Sequence, residues 1–184
     1  MNDIETIGTD ADTIVLSIGS VLFNKEGIHA KREWTLDLEE QKKLGRTFDH
    51  ETLWFWMKQS EGARKAFDPK IEKVSMVQFL NEYEIWIDEN LASHKEKRDE
   101  LKCWGNGSSF DTTIIEDLFR KYHSKGKAGI PWKFWNQWCY RTFNHLTKAK
   151  DLVKREGIYH NAADDAEFQA KTVLAFWKKQ AGKK

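Results

Sequence analysis

The hydrophobic pattern of the chain is clearest near its start. Residues 13–23 form a short apolar run that is rich in β-branched side chains and bounded by turn formers, which predicts a largely buried strand. The residues before the turn at 8–12 predict a clipped strand that pairs with it as a hairpin. Residues 28–38 alternate well enough to predict a half-exposed third strand. Because short turns join the three, the pattern predicts an antiparallel meander.

Helical periodicity and further short apolar runs follow the meander. Residues 74–90 carry a core-facing stripe at helical spacing, and residues 110–122 carry a second one. A last helix is predicted from a cap at Asn161 to about Gln180. The remaining predictions are a charged loop at 39–46, a helical turn within 60–69, a buried strand at 101–104, a further strand at 131–136 and a helix at 138–149.

The segment 53–57, Leu-Trp-Phe-Trp-Met, is apolar on every side of a predicted helix that Thr47 or Asp49 can cap. A surface helix should have a polar face, so the pattern favours a helix wedged between two layers. The functional alternative is that Trp54 or Trp56 presents its ring for stacking on a nucleic-acid base. A homodimer face is a third use for the same residues.

Composition sets broad limits on the class of protein. A length of 184 residues predicts one domain with a sizeable core. With 30 basic and 29 acidic residues the net charge is +1, so the overall charge does not indicate a nucleic-acid partner. A local basic groove could still bind one. Cys103 and Cys139 lie far apart and are predicted to be reduced thiols. We expect a soluble, cytoplasmic protein without a signal peptide or membrane span.

Four acidic residues share a common setting in the predicted elements. Asp3 and Glu5 lie two apart on a strand and therefore point to the same face. Asp111 and Asp165 lie at the mouths of two helices, and His160 stands five residues before the second. Each has an ordinary explanation alone: Asp111 would only offset the helix dipole beside a Ser108 cap, and His160 would bond a backbone carbonyl.

Taken together, these residues point to metal-dependent phosphoryl chemistry. Two carboxylates on one strand face repel each other unless a cation lies between them. Sites built from carboxylate oxygens suit Mg²⁺ or Mn²⁺, and two such ions roughly 4 Å apart can stabilise both the attacking and the leaving oxygen of a phosphoryl transfer. A histidine beside such a site is a natural general base for a water molecule, because its pKa lies near working pH.

The same residues resemble the three motifs of DEDDh 3′–5′ exonucleases: Asp3-x-Glu5, Asn106-Gly-x-x-Phe110-Asp111 and His160-x-x-x-x-Asp165. The resemblance covers residue 1 to about 180 and implies a single exonuclease domain over 1–184. It implies an α/β, ribonuclease H-like fold, with a mixed five-stranded sheet that begins with the meander and is flanked by helices. It also implies release of nucleoside 5′-monophosphates from single-stranded DNA or RNA 3′ ends.

The resemblance assigns roles residue by residue. Asp3, Glu5, Asp111 and Asp165 would bind two divalent ions, Mg²⁺ or Mn²⁺, and His160 would deprotonate the attacking water. The substrate would be met by the backbone around Thr6, Ile7 and Gly8 and by Asn106.

Residues 54–65 and 133–142 are further similar to the branch of T-even phage exonuclease A and a bacterial 3′–5′ exoribonuclease-like family, which implies a bacterial or phage-infected cell. The chain departs from the phage branch at Trp138, where an acidic residue is expected.

Several alternatives remain open at this level. The sugar of the substrate is undecided, with DNA slightly favoured. A non-catalytic nucleic-acid or protein adaptor of the same fold is the main alternative function, and the five intact site residues argue against it. A ribonuclease H-type endonuclease would share the acids, but the spacing of His160 from Asp165 favours an exonuclease.

Overall fold

The computed structural model describes residues 1–107 and 109–182, which form an α/β arrangement of strands and helices. The strands are β1 Asn2–Thr6, β2 Val15–Phe23, β3 Ile28–Thr35, β4 Cys103–Gly105 and β5 Gln137–Cys139. The helices are α1 Leu38–Lys43, α2 His50–Met57, α3 Met76–Ser93, α4 Asp111–Tyr122, α5 Tyr140–Thr147 and α6 Ala162–Ala181. Short 3₁₀ turns lie at Ala63–Phe67, Arg98–Glu100, Gly126–Gly129, Phe134–Asn136 and Ala149–Leu152.

The predicted meander is confirmed. β1 pairs antiparallel with β2, with Asp3 opposite Gly19, and β2 pairs antiparallel with β3. β4 and β5 pair in parallel as a separate two-stranded ladder. β1 and β4 are neighbours, since the Asn2 side-chain amide reaches the Cys103 sulfur over 3.2 Å. The described residues form no ladder between them, so both pairing types are present while one continuous five-stranded sheet stays a prediction.

Successive side chains of β1 point to opposite faces of the meander, and different helices cover the two faces. Ile4 packs with residues of α3 and α4 in the largest apolar cluster, which also contains Ile18 and Trp34. α6 lies against the opposite face of the meander and packs its small residues there, including Ala166 and Ala170. The odd-numbered positions of β1 therefore face α6, and this orientation decides where the acids lie.

Two of the predicted elements are wrong. The charged loop expected at 39–46 contains α1, because the Asp37 carboxylate accepts the Glu39 and Glu40 N–H groups at 2.8 and 3.0 Å and so caps a helix. The strand expected at 131–136 contains the 3₁₀ turn Phe134–Asn136, and the strand follows only at 137–139. A bond from the Asn136 N–H to the Lys133 carbonyl, 2.9 Å long, folds that segment back on itself.

The expectation that 53–57 is wedged between layers is also wrong. Only Trp56 is buried, and its indole N–H donates to the Thr6 carbonyl over 2.7 Å. Trp54 and Met57 are 60% and 65% exposed, so α2 lies on the surface with apolar side chains turned to solvent. Asp49 is the cap of α2, accepting the Thr52 N–H at 2.6 Å.

Two further observations concern the cysteines and the length of the helices. Cys103 is buried, Cys139 is half-buried, and both are free thiols. Every helix within residues 1–107 and 109–182 is too short or too polar to cross a bilayer.

Candidate active site

β1 supplies two acids to the face that α6 covers. Asp3 and Glu5 are both buried, although they carry carboxylates. Asp3 accepts a hydrogen bond from the Gln169 side-chain amide on α6 at 2.7 Å. Burial of ionisable groups is costly unless they are paired, so the position of these two side chains requires compensation from their surroundings.

The close approach of α6 depends on Gly19 of β2. A Cβ atom at this position would lie 2.1 Å from the carbonyl carbon of Ala162, far inside van der Waals contact. Glycine therefore lets the first turn of α6 rest directly on the meander beside Asp3, its partner on β1. This contact brings the start of α6 to the acids of β1.

Asp111 is the first residue of α4 and follows β4 after a short turn. Its two carboxylate oxygens accept the Ile4 N–H at 3.2 Å and the Asn106 N–H at 2.6 Å, which joins β1 and the turn after β4 to one side chain. Ser108, the predicted cap of this helix, lies outside the described residues. The carboxylate is held by backbone donors and is buried beside Asp3.

Asp165 and His160 are placed by the cap of α6. The Asn161 side chain accepts the Asp164 N–H at 3.0 Å and starts the helix. Asp165 then accepts the His160 backbone N–H on one oxygen at 2.9 Å and an Arg155 guanidinium N–H on the other at 2.6 Å. These bonds hold His160 in the left-handed backbone region, with φ of 61°, which a non-glycine residue adopts only under local constraint.

The His160 ring points at the acids from the loop before α6. One of its nitrogens lies with one oxygen each of Glu5 and Asp165 in a group whose members are all within 4.8 Å of one another. On its other side the ring meets Phe55 edge-on, with centroids 5.1 Å apart, and Trp56 at 6.3 Å. Two aromatic side chains of α2 and the loop before α6 therefore set the orientation of this histidine together.

The acids perturb one another strongly. Burial, followed by the charges of the neighbouring carboxylates, raises the pKa of Asp3 well above its usual range and the pKa of Glu5 to about 8. Burial raises the pKa of Asp111 to about 6 against the backbone N–H groups that favour its charged form. Burial also raises the pKa of Asp165, although the Arg155 charge opposes this. Repulsion between carboxylates thus adds to burial at Asp3 and Glu5, and a cation bound between them would oppose both effects.

The donor set fits hard divalent cations. Four carboxylates from three separate elements converge, and one of them is paired with an arginine while the other three face no cationic partner in an ion pair among the described residues. Oxygen ligands of this kind suit Mg²⁺ and Mn²⁺, and a bound cation would reverse the mutual repulsion that raises the pKa values.

The acids open into a cleft of about 550 Å³. Six of the residues to which the resemblance assigns a role line it: Asp3, Glu5, Asn106, Asp111, His160 and Asp165. Thr6, Ile7 and Gly8 are buried outside this lining. The Thr6 carbonyl accepts the Trp56 N–H, and Ile7 uses its own N–H and carbonyl in bonds to Ile14 and Asp49. The proposed contact of this backbone with substrate stays a prediction.

Sequence reasoning missed two residues that hold the acids. Gln169 lies four residues after Asp165, hence on the same helix face, and this spacing was the available signal. Arg155 gave no signal, because it precedes α6 in a charged connection. Its guanidinium lies 4.7 Å from the Tyr159 ring centroid and 5.0 Å from that of Phe168, and it also donates to the Ile158 carbonyl at 3.0 Å.

Comparisons with known proteins agree with this geometry. The model of the 3′-5′ exoribonuclease Rv2179c-like domain matches residues 1–177. The chain is also 29% identical over 158 residues to a protein of Enterobacteria phage T4 described as an exodeoxyribonuclease, a match that covers 76% of this chain and 67% of the phage protein. The family match spans the meander, both helix mouths and the His160 loop. The chain therefore belongs to the 3′-5′ exoribonuclease Rv2179c-like domain family and is an exonuclease of the DnaQ-like type.

Proposed function

We propose that this protein is a metal-dependent 3′–5′ exonuclease that removes nucleoside 5′-monophosphates from single-stranded nucleic acid. The observation that carries the proposal is the convergence of four acids, three of them buried, and His160 in one cleft. A ribonuclease H-like fold with β1 beside β4 would account for that convergence, since β1 carries Asp3 and Glu5 and the turn after β4 leads to Asp111.

Asp3, Glu5, Asp111 and Asp165 would hold two Mg²⁺ or Mn²⁺ ions. Bound there, the ions would supply the positive charge that stabilises the attacking and leaving oxygens. Asp111 is oriented by the Ile4 and Asn106 backbone groups. Gln169 orients Asp3 from the opposite side. Because these bonds come from different elements, the carboxylates are preorganised before substrate arrives.

His160 acts as the general base. Its ring takes a proton from the attacking water, whose oxygen forms a bond to the phosphorus of the terminal phosphodiester. The bond from phosphorus to the 3′ oxygen of the penultimate nucleotide breaks, and that oxygen is protonated from solvent. The products are a nucleoside 5′-monophosphate and a strand that is shorter by one residue and ends in a 3′-hydroxyl.

Aromatic residues on α2 supply the apolar part of substrate binding. Phe55 is 41% exposed and touches His160, so a terminal base stacked on it would lie next to the reacting phosphate. Trp56 is buried and supports this surface through its bond to Thr6. Asn106 lines the cleft on the opposite side, at the turn that carries Asp111.

The test is a time course on 5′-labelled single-stranded DNA and RNA of one sequence, with Mn²⁺, Mg²⁺ or EDTA. We expect a metal-dependent ladder that shortens from the 3′ end, and the faster substrate identifies the preferred sugar. The family description names RNA and the phage relative names DNA, so both belong in the assay. Asp3→Asn should abolish the ladder, while Asp10→Asn, at an exposed turn acid, should not.

Two outcomes would contradict the proposal. Degradation of a circular single strand would indicate an endonuclease. Absence of cleavage of either linear substrate by folded protein would favour the adaptor function.

A further inference from the structure

The cleft has a second wall whose charge is opposite to that of the acids. α5 and the 3₁₀ turn Ala149–Leu152 contribute Arg141 and Lys150 to its lining. Both side chains belong to exposed residues, and neither forms an ion pair within residues 1–107 and 109–182. Arg155, by contrast, is committed to Asp165. Two uncommitted cations thus face the cleft in a protein whose overall charge is only +1.

The backbone that presents Lys150 is fixed by one side chain. The Asn144 carbonyl accepts the Lys148 N–H at 2.8 Å, and the Asn144 side-chain oxygen accepts the Lys150 N–H, also at 2.8 Å. Lys148 adopts a left-handed conformation with φ of 56°, and Ala149 is fully buried between the two. The chain is therefore turned sharply at a set place, and Lys150 is presented by an ordered backbone.

The other end of this wall is anchored to α6. Tyr140, the first residue of α5, is buried, and its hydroxyl meets the Thr172 hydroxyl at 3.1 Å. Arg141 is the next residue, so it emerges from an anchored position on the side of the cleft that faces the acids. Arg141 and Asp111 line the same cleft, so the arginine lies on the path to the acids.

We propose that Arg141 and Lys150 form a phosphate-binding wall for the substrate strand, which holds the phosphodiester on the 5′ side of the scissile bond. The inference rests on the proposed function and adds the path of the strand: the 3′ end enters at the acids, and the strand leaves across α5. Single-stranded substrate fits this path because cations along a groove follow a flexible backbone without reading its sequence.

The salt dependence of nucleic-acid binding measures how many contacts between cations and phosphates form. Each cation that neutralises a phosphate of a single strand contributes about 0.7 to the slope of log affinity against log salt concentration. The probes are fluorescein-labelled single-stranded DNA and RNA, measured by anisotropy from 50 to 300 mM KCl with Ca²⁺ present and strand integrity checked on a gel. The proteins are wild type, Arg141→Met, Lys150→Met, the double variant and Lys178→Met, whose lysine is exposed near the end of α6 and outside the cleft.

We expect the slope to fall by about 0.7 in each single variant and by about 1.4 in the double variant, with no change for Lys178→Met. Equal slopes in wild type and the double variant would overturn the inference. If Arg141→Met does not fold, as judged by thermal melting, Lys150→Met decides alone. Cleavage by wild type with Mn²⁺ is scored separately, so wild-type protein that binds with the expected slope but does not cleave contradicts the proposed function and supports the wall.

Discussion

The Gln169 side-chain amide donates to Asp3 across 2.7 Å, although the two residues are 166 positions apart in the chain. The other polar atom of the same amide, Oε1, is buried and has no partner within the described residues. A buried acceptor without a donor is costly, and here it lies at the edge of the acidic cleft. Gln169 Oε1 is placed to accept a hydrogen bond from a water molecule that is bound to a cation in the cleft.

Gln169→Leu should weaken divalent-cation binding. The variant removes both the donor that orients Asp3 and the free acceptor, and loss of a group that orients a metal ligand typically costs 10- to 100-fold in affinity or activity. Titration of Mn²⁺ followed by electron paramagnetic resonance measures the affinity without turnover. Gln180→Leu, at an exposed position at the end of α6, is the control. Unchanged Mn²⁺ affinity in Gln169→Leu would exclude this role.

His160→Asn tests the general base while retaining the backbone conformation. Asparagine tolerates the left-handed region better than most residues, so the loop should keep its shape. Loss of the proton acceptor should lower kcat by about 10²- to 10⁴-fold. His50→Asn, on the exposed start of α2, should have wild-type kcat.

Mn²⁺ affinity separates two roles for the His160 ring, since it lies within reach of the same ligand atoms as Glu5 and Asp165. Wild-type affinity in His160→Asn supports proton transfer. A loss of affinity that parallels the loss of rate would mean that the ring is a metal ligand instead.

Gly19→Ala should displace α6 and inactivate the enzyme. The new methyl group would meet the Ala162 backbone at 2.1 Å, and such a contact with backbone cannot be relieved by a side-chain rotation. We expect a loss of about 3 kcal/mol in the free energy of unfolding and a melting temperature lower by about 10 °C. Gly27→Ala, where nothing lies within 4 Å of the added atom, should change stability by less than about 0.5 kcal/mol. Equal stability of the two variants would contradict this packing.

The metal-free protein should become less stable as pH rises. The pKa of Glu5 is raised to about 8 in the folded state, so the folded protein binds a proton that the unfolded chain releases above about pH 4.3. Stability from this group is therefore complete at low pH and is lost as pH rises towards 8, at up to about 1.4 kcal/mol per pH unit for one proton.

Chemical denaturation in EDTA between pH 5.5 and 8 measures this slope. Glu5→Gln should make the slope shallower, because the amide does not titrate while Asp3 and Asp111 still do. Mn²⁺ should restore stability most at the high-pH end. The prediction fails if the metal-free wild type is equally stable across the range.

How far the sequence predicts this protein depends on whether a feature is local. The strand at 15–23 and the stripe on α3 were predictable because periodicity reports burial directly. The predicted helices likewise placed Asp111 and Asp165 at helix starts, from the apolar stripe after Asp111 and the cap at Asn161. α1 was missed because its cap, Asp37, falls at the end of the predicted third strand and the residues after it are mostly charged. The exposure of α2 could not be predicted, because an apolar segment can pack on the core of its own protein or form a surface for a binding partner.

Two contacts near the site could not be predicted from hydrophobic periodicity. Arg155 pairs with Asp165 only because the chain doubles back at Gly157, whose φ is 80°. The contact of Gly19 with Ala162 joins two positions that periodicity treats independently. The second contact is set by how α6 docks on the meander, which depends on packing of the whole fold.

The acids of the cleft are synthesised at different times. Asp3 and Glu5 leave the ribosome before Asp165, which is held at the start of α6 and follows more than 150 residues later. Until α6 has emerged and docked at Gly19, a growing chain has neither the fourth carboxylate nor His160 in place. Protein synthesis thereby delays the assembly of this centre until α6 has been made.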